Sequence, residues 1–89
     1  MKADTELKIE HYEAENRFRA IENGNVVGHI EYEIDGQTMT ITHTYAYIEG
    51  RGIGRKLADA AISYARNRGM NIVPQCSYVK LLMERTKKG

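Results

Sequence analysis

The sequence is poor in the residues that mark several large classes of protein. Its 89 residues include one cysteine, one proline and no tryptophan. A lone cysteine excludes a disulfide framework and, without paired ligands beside it, argues against a metal site. No apolar run reaches the roughly 20 residues that cross a membrane, and the N-terminus lacks a signal-peptide pattern. We therefore expect a cytoplasmic protein with no metal and no membrane partner.

An excess of charge of one sign is lacking as well. The 13 basic side chains nearly balance 12 acidic ones, which leaves a formal net charge of +1. Such a balance gives no broad positive field for a nucleic acid, so a nucleic-acid partner is not expected. The length is that of one domain, residues 1–89, with a modest hydrophobic core.

Four runs in which apolar and polar residues alternate predict β-strands. They lie at Leu7 to Tyr12, Arg17 to Glu22, Val26 to Ile34 and Gln37 to Tyr47. The pairs Asn23-Gly24 and Asp35-Gly36 are typical of hairpin turns, so the four strands should form an antiparallel meander.

Alternation also predicts which side chains share a face of the third and fourth strands. On the third strand they are Val26, Gly28, Ile30, Tyr32 and Ile34. On the fourth they are Met39, Ile41, His43, Tyr45 and Tyr47. We expect His43 to be partly buried for this reason.

From Ile53 the apolar residues recur at helical spacing as far as Ala65, and Gly69 is a plausible residue to end that helix. Asn71 to Cys76 then reads as a short strand that Pro74 would disturb. Ser77 suits the N-cap of a last helix from Tyr78 to about Thr86. The predicted order is ββββαβα, an α/β (α+β) domain with a mostly antiparallel mixed sheet.

Three alternating glycines, Gly50, Gly52 and Gly54, join the fourth strand to the first helix. A glycine-rich turn into a helix favours anion binding, because the first helical N–H groups lack partners and carry the positive end of the dipole. A tight turn needing glycine for geometry alone is the alternative. The loop fits neither the Walker loop, which needs Gly-Lys-Ser/Thr, nor the G-x-G-x-x-G dinucleotide fingerprint.

The loop instead resembles the acyl-coenzyme A motif of the GNAT N-acetyltransferase superfamily, (Gln/Arg)-x-x-Gly-x-(Gly/Ala). Gly52 and Gly54 take its glycine positions, whereas Glu49 replaces the usual Gln or Arg. The resemblance implies that loop amides hold the pyrophosphate of coenzyme A and that the preceding strand pairs with the pantetheine. The implied cofactor-binding residues are Thr44, Tyr45, Ala46, Tyr47, Gly50, Arg51, Gly52, Ile53, Gly54 and Arg55.

The chain also resembles the minimal, single-domain GNAT-like group called YjdJ-type, in Thr42-His43-Thr44 and in Cys76-Ser77-Tyr78. Histidine is a common general base, which suits His43 to that role, whereas Cys76 precedes a helix whose dipole favours thiolate. If their strands are neighbours, both side chains could converge on a thioester. Cys76 would then either protonate the departing thiolate or take the acyl group covalently. Tyr78 is interpreted as a packing residue rather than an acid.

The resemblance implies an acetyl-coenzyme A-dependent N-acetyltransferase whose amine acceptor is a protein or a small molecule. One alternative is a coenzyme A or acyl-coenzyme A-binding module without turnover. A second is an interaction domain that uses an exposed sheet edge and the basic tail at residues 85–89. An exposed edge in a small domain is compatible with a monomer or a homodimer.

Overall fold

A computed structural model describes the backbone of residues 7–47 and 52–88, with side chains as far as residue 84. The elements are β1 (Leu7–Tyr12), a 3-10 turn (Glu13–Glu15), β2 (Arg17–Glu22), β3 (Asn25–Asp35), β4 (Thr38–Ala46), α1 (Ile53–Asn67), β5 (Asn71–Pro74) and α2 (Ser77–Lys88). The predicted order of four strands, a helix, a strand and a helix is confirmed. The 3-10 turn between β1 and β2 is an addition to it.

The five strands form one sheet in the order β1-β2-β3-β4-β5. The first four pair antiparallel, as the two hairpin signals predicted. β5 lies parallel to β4, because α1 carries the chain back to the same end of the sheet. This parallel pairing runs only from Thr38↔Asn71 to Ile41↔Pro74, and Pro74 has no N–H to extend it.

The core lies between one face of the sheet and α1, and Val79 of α2 joins it. At Gly28 on β3, an added Cβ would lie 2.8 Å from the carbonyl oxygen of Tyr45 and 2.9 Å from Cγ2 of Ile53. Glycine is therefore required for α1 to approach this closely. The fully buried larger side chains are Ile30, Met39, Ile41, Ile53, Leu57 and Val79.

A bulge in β3 changes which of its side chains share a face. Ala20 pairs with Gly28 but Ile21 pairs with Val26, so Val27 is an extra residue in the ladder. Val27 is buried in the core, whereas Val26 is 43% exposed. The prediction that Val26 shares a face with Gly28 and Ile30 is wrong for this reason. Ile34, next to the second hairpin turn, is 38% exposed.

A second bulge lies in β4, where this strand pairs with β3, and it changes which side chains of β4 face the core. Glu31 pairs with His43 but Tyr32 pairs with Ile41, which leaves Thr42 as the extra residue. One extra residue turns every later side chain to the other face of the sheet. Ile41 is therefore buried while His43 is exposed, and the predicted partial burial of His43 is wrong. Tyr45 and Tyr47, also predicted to share the face of Ile41, are 45% and 54% exposed.

Candidate functional site

A cleft opens between β4 and β5 where their pairing stops. The last link is a hydrogen bond from the N–H of Cys76 to the carbonyl oxygen of Ile41, with an N···O distance of 3.0 Å. β4 continues to Ala46, where it is paired to Gly28 of β3. Within the described ranges, the other edge of residues 42–46 has no strand partner. Such a free edge can pair with an extended ligand.

Cys76 lies at the end of this cleft where β4 and β5 begin to separate. It is also the N-cap residue of α2. The N–H of Lys80 donates to the carbonyl oxygen of Cys76 at 3.0 Å, which is the first helical bond. The predicted N-cap, Ser77, is instead the first helical residue. The Sγ atom of Cys76 lies 3.5 Å from Oγ1 of Thr44, so the two side chains meet across the cleft.

The surroundings of Cys76 lower the pKa of its thiol. Burial raises this pKa, but hydrogen bonds to the sulfur lower it by more. The bond with the Thr44 side chain lowers the pKa most, followed by bonds with the backbone of Val79, Tyr78 and Thr44. Two of these backbone groups belong to the first turn of α2, where the helix dipole also favours an anion. The thiolate is the reactive form of cysteine, so this position favours chemistry at Sγ.

His43 lies on the opposite face of β4 from the Thr44–Cys76 contact. β4, which carries His43, and β5, which ends two residues before Cys76, are neighbours, as the predicted convergence of the two side chains requires. The side chain that touches Cys76 is nevertheless Thr44, because the Thr42 bulge turns His43 outwards. The His43 ring stacks on Tyr45, with 5.8 Å between centroids and 25° between planes.

His29 and Glu31 were missed as candidate residues. His29 was interpreted as remote from the glycine loop, but it pairs with Tyr45 of β4. Its Nδ1 lies 2.6 Å from the hydroxyl of Tyr47, and its Nε2 lies 3.2 Å from Oε2 of Glu31. The Asp35-Gly36 turn was the available signal, although a two-residue turn there places His29 opposite Thr42, three residues from its partner Tyr45 in the structure.

Burial is the main cause that lowers the pKa of His29, although the Glu31 carboxylate acts in the opposite direction. The neutral ring is therefore the principal form at pH 7. A carboxylate only accepts hydrogen bonds, so Nε2 carries the proton and donates to Glu31. Nδ1 then accepts, and the hydroxyl of Tyr47 donates to it.

The start of α1 is described from Gly52 onwards, so the predicted site residues Gly50 and Arg51, with Glu49, lie outside the described residues. Gly52 caps the helix at φ 70° and ψ 18°, in the left-handed region that glycine tolerates best. The first helical bond runs from the N–H of Lys56 to the carbonyl oxygen of Gly52. The N–H groups of residues 53–55 therefore have no partner within the helix.

Close packing against Tyr78 favours glycine at position 54. A Cβ at this buried position would lie 3.2–3.3 Å from three atoms of the Tyr78 side chain. The ring of Tyr78, on α2, thus packs against the first turn of α1. This contact agrees with the interpretation of Tyr78 as a packing residue, and it gives Gly54 a role that does not depend on a ligand.

Metal-ligand clusters and membrane-spanning helices are both absent from the part of the chain that the structure describes. No group of three or more His, Cys, Asp or Glu side chains in the described ranges is placed to hold a metal ion. Neither α1 nor α2 is long and apolar enough to cross a membrane.

A family model described as GCN5-related N-acetyl-transferase matches residues 5–88. The chain belongs to this family. Two solved structures resemble this GCN5-related chain in fold. The PaiA N-acetyltransferase from Thermoplasma acidophilum in complex with coenzyme A is 20% identical, with a TM-score of 0.58 over 61% of this chain. The IAA acetyltransferase from Bacillus cereus ATCC 14579 is 29% identical, with a TM-score of 0.57 over 82% of it.

This GCN5-related chain spans only 35% and 53% of the length of those two proteins. The shared part has a mixed α+β fold, a five-stranded sheet with helices. The likeness therefore concerns the fold of this part.

Proposed function

We propose that the chain binds acetyl-coenzyme A and transfers the acetyl group to an amine. The observation that carries this proposal is the cleft between β4 and β5, which places Cys76 and Thr44 beside the free edge of β4. Membership in the GCN5-related family supports the reaction class. Coenzyme A in the Thermoplasma acidophilum structure supports the cofactor.

In this proposal the cofactor lies along β4. The backbone of residues 44–47 pairs with the pantetheine, and the amides of residues 50–55 hold the pyrophosphate. Glu49 adds no attraction for phosphate, so Arg51, Arg55 and Lys56 would supply the positive charge. The side chain of Arg55 is well exposed, and its Nε lies 4.0 Å from Oδ2 of Asp59. Such an exposed ion pair is weak and leaves the guanidinium free to contact a phosphate.

His43 and Cys76 then act from opposite sides of β4. His43, on the exposed face, accepts a proton from the incoming amine. The amine nitrogen attacks the thioester carbon, a strand amide stabilises the oxyanion, and the carbon–sulfur bond breaks. Cys76, on the inner face, gives its proton to the departing coenzyme A thiolate. The lowered pKa of its thiol makes this transfer favourable.

A covalent route uses the same residues. The Cys76 thiolate attacks the thioester, coenzyme A leaves as the thiolate, and the amine then takes the acetyl group from Sγ. Mass spectrometry after mixing with acetyl-coenzyme A alone separates the routes. A 42 Da adduct, about the mass of an acetyl group in place of a proton, that is absent from Cys76→Ala supports the covalent route.

Within the family we propose the minimal YjdJ-type group, on Thr42-His43-Thr44 and Cys76-Ser77-Tyr78. The cytoplasmic location and the choice between monomer and homodimer stay predictions. The acceptor, protein or small molecule, is left open at this point.

Calorimetric titration with acetyl-coenzyme A tests the proposal. We expect saturable binding that His43→Ala and Cys76→Ala retain, together with amine-dependent release of free coenzyme A that both variants reduce strongly. Tight binding with no release by the wild-type protein would favour the binding module without turnover. No heat of binding up to millimolar ligand would overturn the proposal.

A further inference from the structure

Two of the described tyrosines place their hydroxyl against a histidine nitrogen. The hydroxyl of Tyr32 lies 2.6 Å from Nε2 of His11, but Tyr32 is only 2% exposed. The hydroxyl of Tyr47 lies 2.6 Å from Nδ1 of His29, and Tyr47 is 54% exposed. Tyr47 therefore combines a neighbouring nitrogen base with access to a molecule from solution.

A carboxylate stands at the other nitrogen of His29. Nε2 of His29 lies 3.2 Å from Oε2 of Glu31, and Nη2 of Arg17 lies 3.6 Å from the same oxygen. Because Nε2 carries the proton that Glu31 accepts, the lone pair of Nδ1 is directed at the Tyr47 hydroxyl. The order carboxylate, imidazole and hydroxyl is that of a nucleophilic triad.

The surroundings of His29 hold its ring in place and keep it neutral. The His29 side chain is only 14% exposed, and its ring lies 4.8 Å from the ring of Tyr45 between centroids. The charged groups that face it are Glu31 on β3 and, on β2, Arg17 and Arg19. Burial is the main cause that lowers the pKa of His29; Glu31 opposes this effect, and both arginines add to it. At pH 7 the ring can therefore accept a proton.

We propose that Tyr47 is a nucleophile that takes an acyl group from an activated aryl ester onto its hydroxyl oxygen. His29 acts as the general base, and Glu31 is a positioning residue that orients it. As the Tyr47 oxygen bonds to the acyl carbon, its proton passes to Nδ1 of His29. The bond between the acyl carbon and the aryl oxygen breaks, and the departing aryl oxide takes up that proton. The exposed ring of Tyr45 beside Tyr47 gives the aryl group a face for stacking.

Other tyrosines provide controls within the same molecule. Tyr45 is 45% exposed, and it meets His29 through its ring. The hydroxyl of Tyr64 donates to Oε2 of Glu13 at 2.6 Å, and this bond raises the pKa of Tyr64. A carboxylate is a weaker base than imidazole, so it promotes loss of the hydroxyl proton less. Acylation should therefore follow the histidine partner, and neither exposure nor a hydrogen bond alone should suffice.

Acetylation by 4-nitrophenyl acetate, without coenzyme A, tests the inference. Mass spectrometry of peptides measures the rate at which each tyrosine gains an acetyl group, so acetylation of Cys76 or of lysines does not enter the comparison. We expect Tyr47 to react about 100-fold faster than Tyr45 and Tyr64, the lower end of what a general base contributes. Equal rates at Tyr45 and Tyr47, or faster acetylation of Tyr64, would overturn the inference.

His29→Gln tests the base, because an amide can accept one hydrogen bond and donate another but takes up no proton at this pH. The rate at Tyr47 should fall to about that of Tyr45. His11→Gln is the matched control, since His11 bonds the buried hydroxyl of Tyr32, and it should leave the rate at Tyr47 unchanged. An unchanged rate in His29→Gln would reject His29 as the base.

The pH profile separates a base from a structural support. The wild-type rate at Tyr47 should fall as the pH decreases through the pKa of His29, because the protonated ring accepts no further proton. The profile of His29→Gln should be flat over the same range. Glu31→Gln removes the charge that raises the pKa of His29, so its profile should shift to lower pH. Identical profiles in wild type and His29→Gln would contradict the inference.

This inference does not depend on the proposed acetyl transfer, because the assay contains no coenzyme A. Binding of acetyl-coenzyme A together with unselective acetylation of the tyrosines would leave the proposed transferase and reject the Tyr47 site. Selective acetylation of Tyr47 without binding of acetyl-coenzyme A would do the reverse. An acetyl group on Tyr47 should also persist in Cys76→Ala, which distinguishes it from one carried by Sγ.

Discussion

The side chains of Thr44 and Cys76 touch across the cleft between β4 and β5, with 3.5 Å between Oγ1 and Sγ. The contact joins two residues that are 32 positions apart, at the place where backbone pairing between β4 and β5 has ended. It depends on the Thr42 bulge, because regular alternation would direct His43 to this side. The bulge therefore determines which β4 side chain influences the thiol.

Thr44→Val should raise the pKa of the Cys76 thiol. Valine has nearly the shape of threonine but cannot form the hydrogen bond that is the largest cause of the lowering. The rate of alkylation by iodoacetamide, measured against pH, reports the thiolate fraction. Thr42→Val is the matched control, since the Thr42 hydroxyl donates to the carbonyl oxygen of Glu31. An identical pH profile in Thr44→Val and wild type would contradict the prediction.

Gly54→Ala should destabilise the protein by about 1–2 kcal/mol, measured by urea unfolding without any ligand. The added methyl group presses on Tyr78 at 3.2–3.3 Å, and this cost exceeds the gain of up to about 1 kcal/mol from replacing glycine in a helix. In a Tyr78→Ala background the clash is gone, so Gly54→Ala should become neutral or stabilising.

That double-mutant cycle distinguishes packing from ligand binding. A cost of Gly54→Ala that persists in the Tyr78→Ala protein would show that the ring is not its cause. Gly28→Ala provides the reference for a site that cannot relax, since its Cβ would lie 2.8 Å from a backbone oxygen. We expect it to cost about 3 kcal/mol or more, the upper end for overpacking.

Stability should decrease as the pH falls below about 6.5, because of His11. Burial is the main cause that lowers the pKa of His11; Glu13 opposes this effect and Arg68 adds to it. The unfolded chain, with the ordinary value of 6.5, therefore binds more protons in this range. The buried hydroxyl of Tyr32, whose pKa burial raises to about 12, lies 2.6 Å from Nε2 of His11 and loses its acceptor when His11 is protonated.

Urea unfolding at pH 7.5 and pH 5.5 measures this effect. His11→Gln, which keeps an accepting oxygen for Tyr32, should lose less stability between the two pH values than wild type does. The pKa of His29 is also lowered, so the double variant His11→Gln/His29→Gln should lose less again. A wild-type protein that is more stable at pH 5.5 than at pH 7.5 would contradict this prediction.

His43→Asn should reduce the turnover number of the proposed transferase by about 10²- to 10⁴-fold, the usual contribution of a general base. The fold should be unaffected, because the His43 side chain is exposed. The measurement is release of coenzyme A with butylamine as acceptor, across pH 6 to 9. His11→Gln serves as the histidine control, since His11 packs on Phe18 in a separate cluster. An unchanged turnover number would exclude His43 as the base.

Most of the fold could be predicted from local patterns. The Asn23-Gly24 turn, the alternating strands and the helical spacing from Ile53 gave the correct order of elements. Gly69, predicted to end α1, does so at φ 68°. Each of these signals lies within a few residues of the structure that it specifies, and so a single sequence reveals it.

The site was less predictable because it depends on two bulges. The extra residues Val27 and Thr42 cannot be recognised from the alternation of apolar and polar residues. Each one nevertheless turns the side chains that follow it to the other face of the sheet. The outward position of His43 and the Thr44–Cys76 contact both result from the second bulge. His29 and Glu31 required the pairing of β3 with β4, which the Asp35-Gly36 turn predicts only to within three residues.

Backbone-amide NMR during titration with acetyl-coenzyme A tests the proposed site most directly. The largest shifts should fall on two separate segments, residues 44–47 of β4 and residues 52–55 at the start of α1, with a smaller change at Cys76. The amides of β1, on the far edge of the sheet, should not move. Saturable binding whose shifts leave both segments unchanged would contradict the proposed site, and so would an absence of binding at millimolar acetyl-coenzyme A.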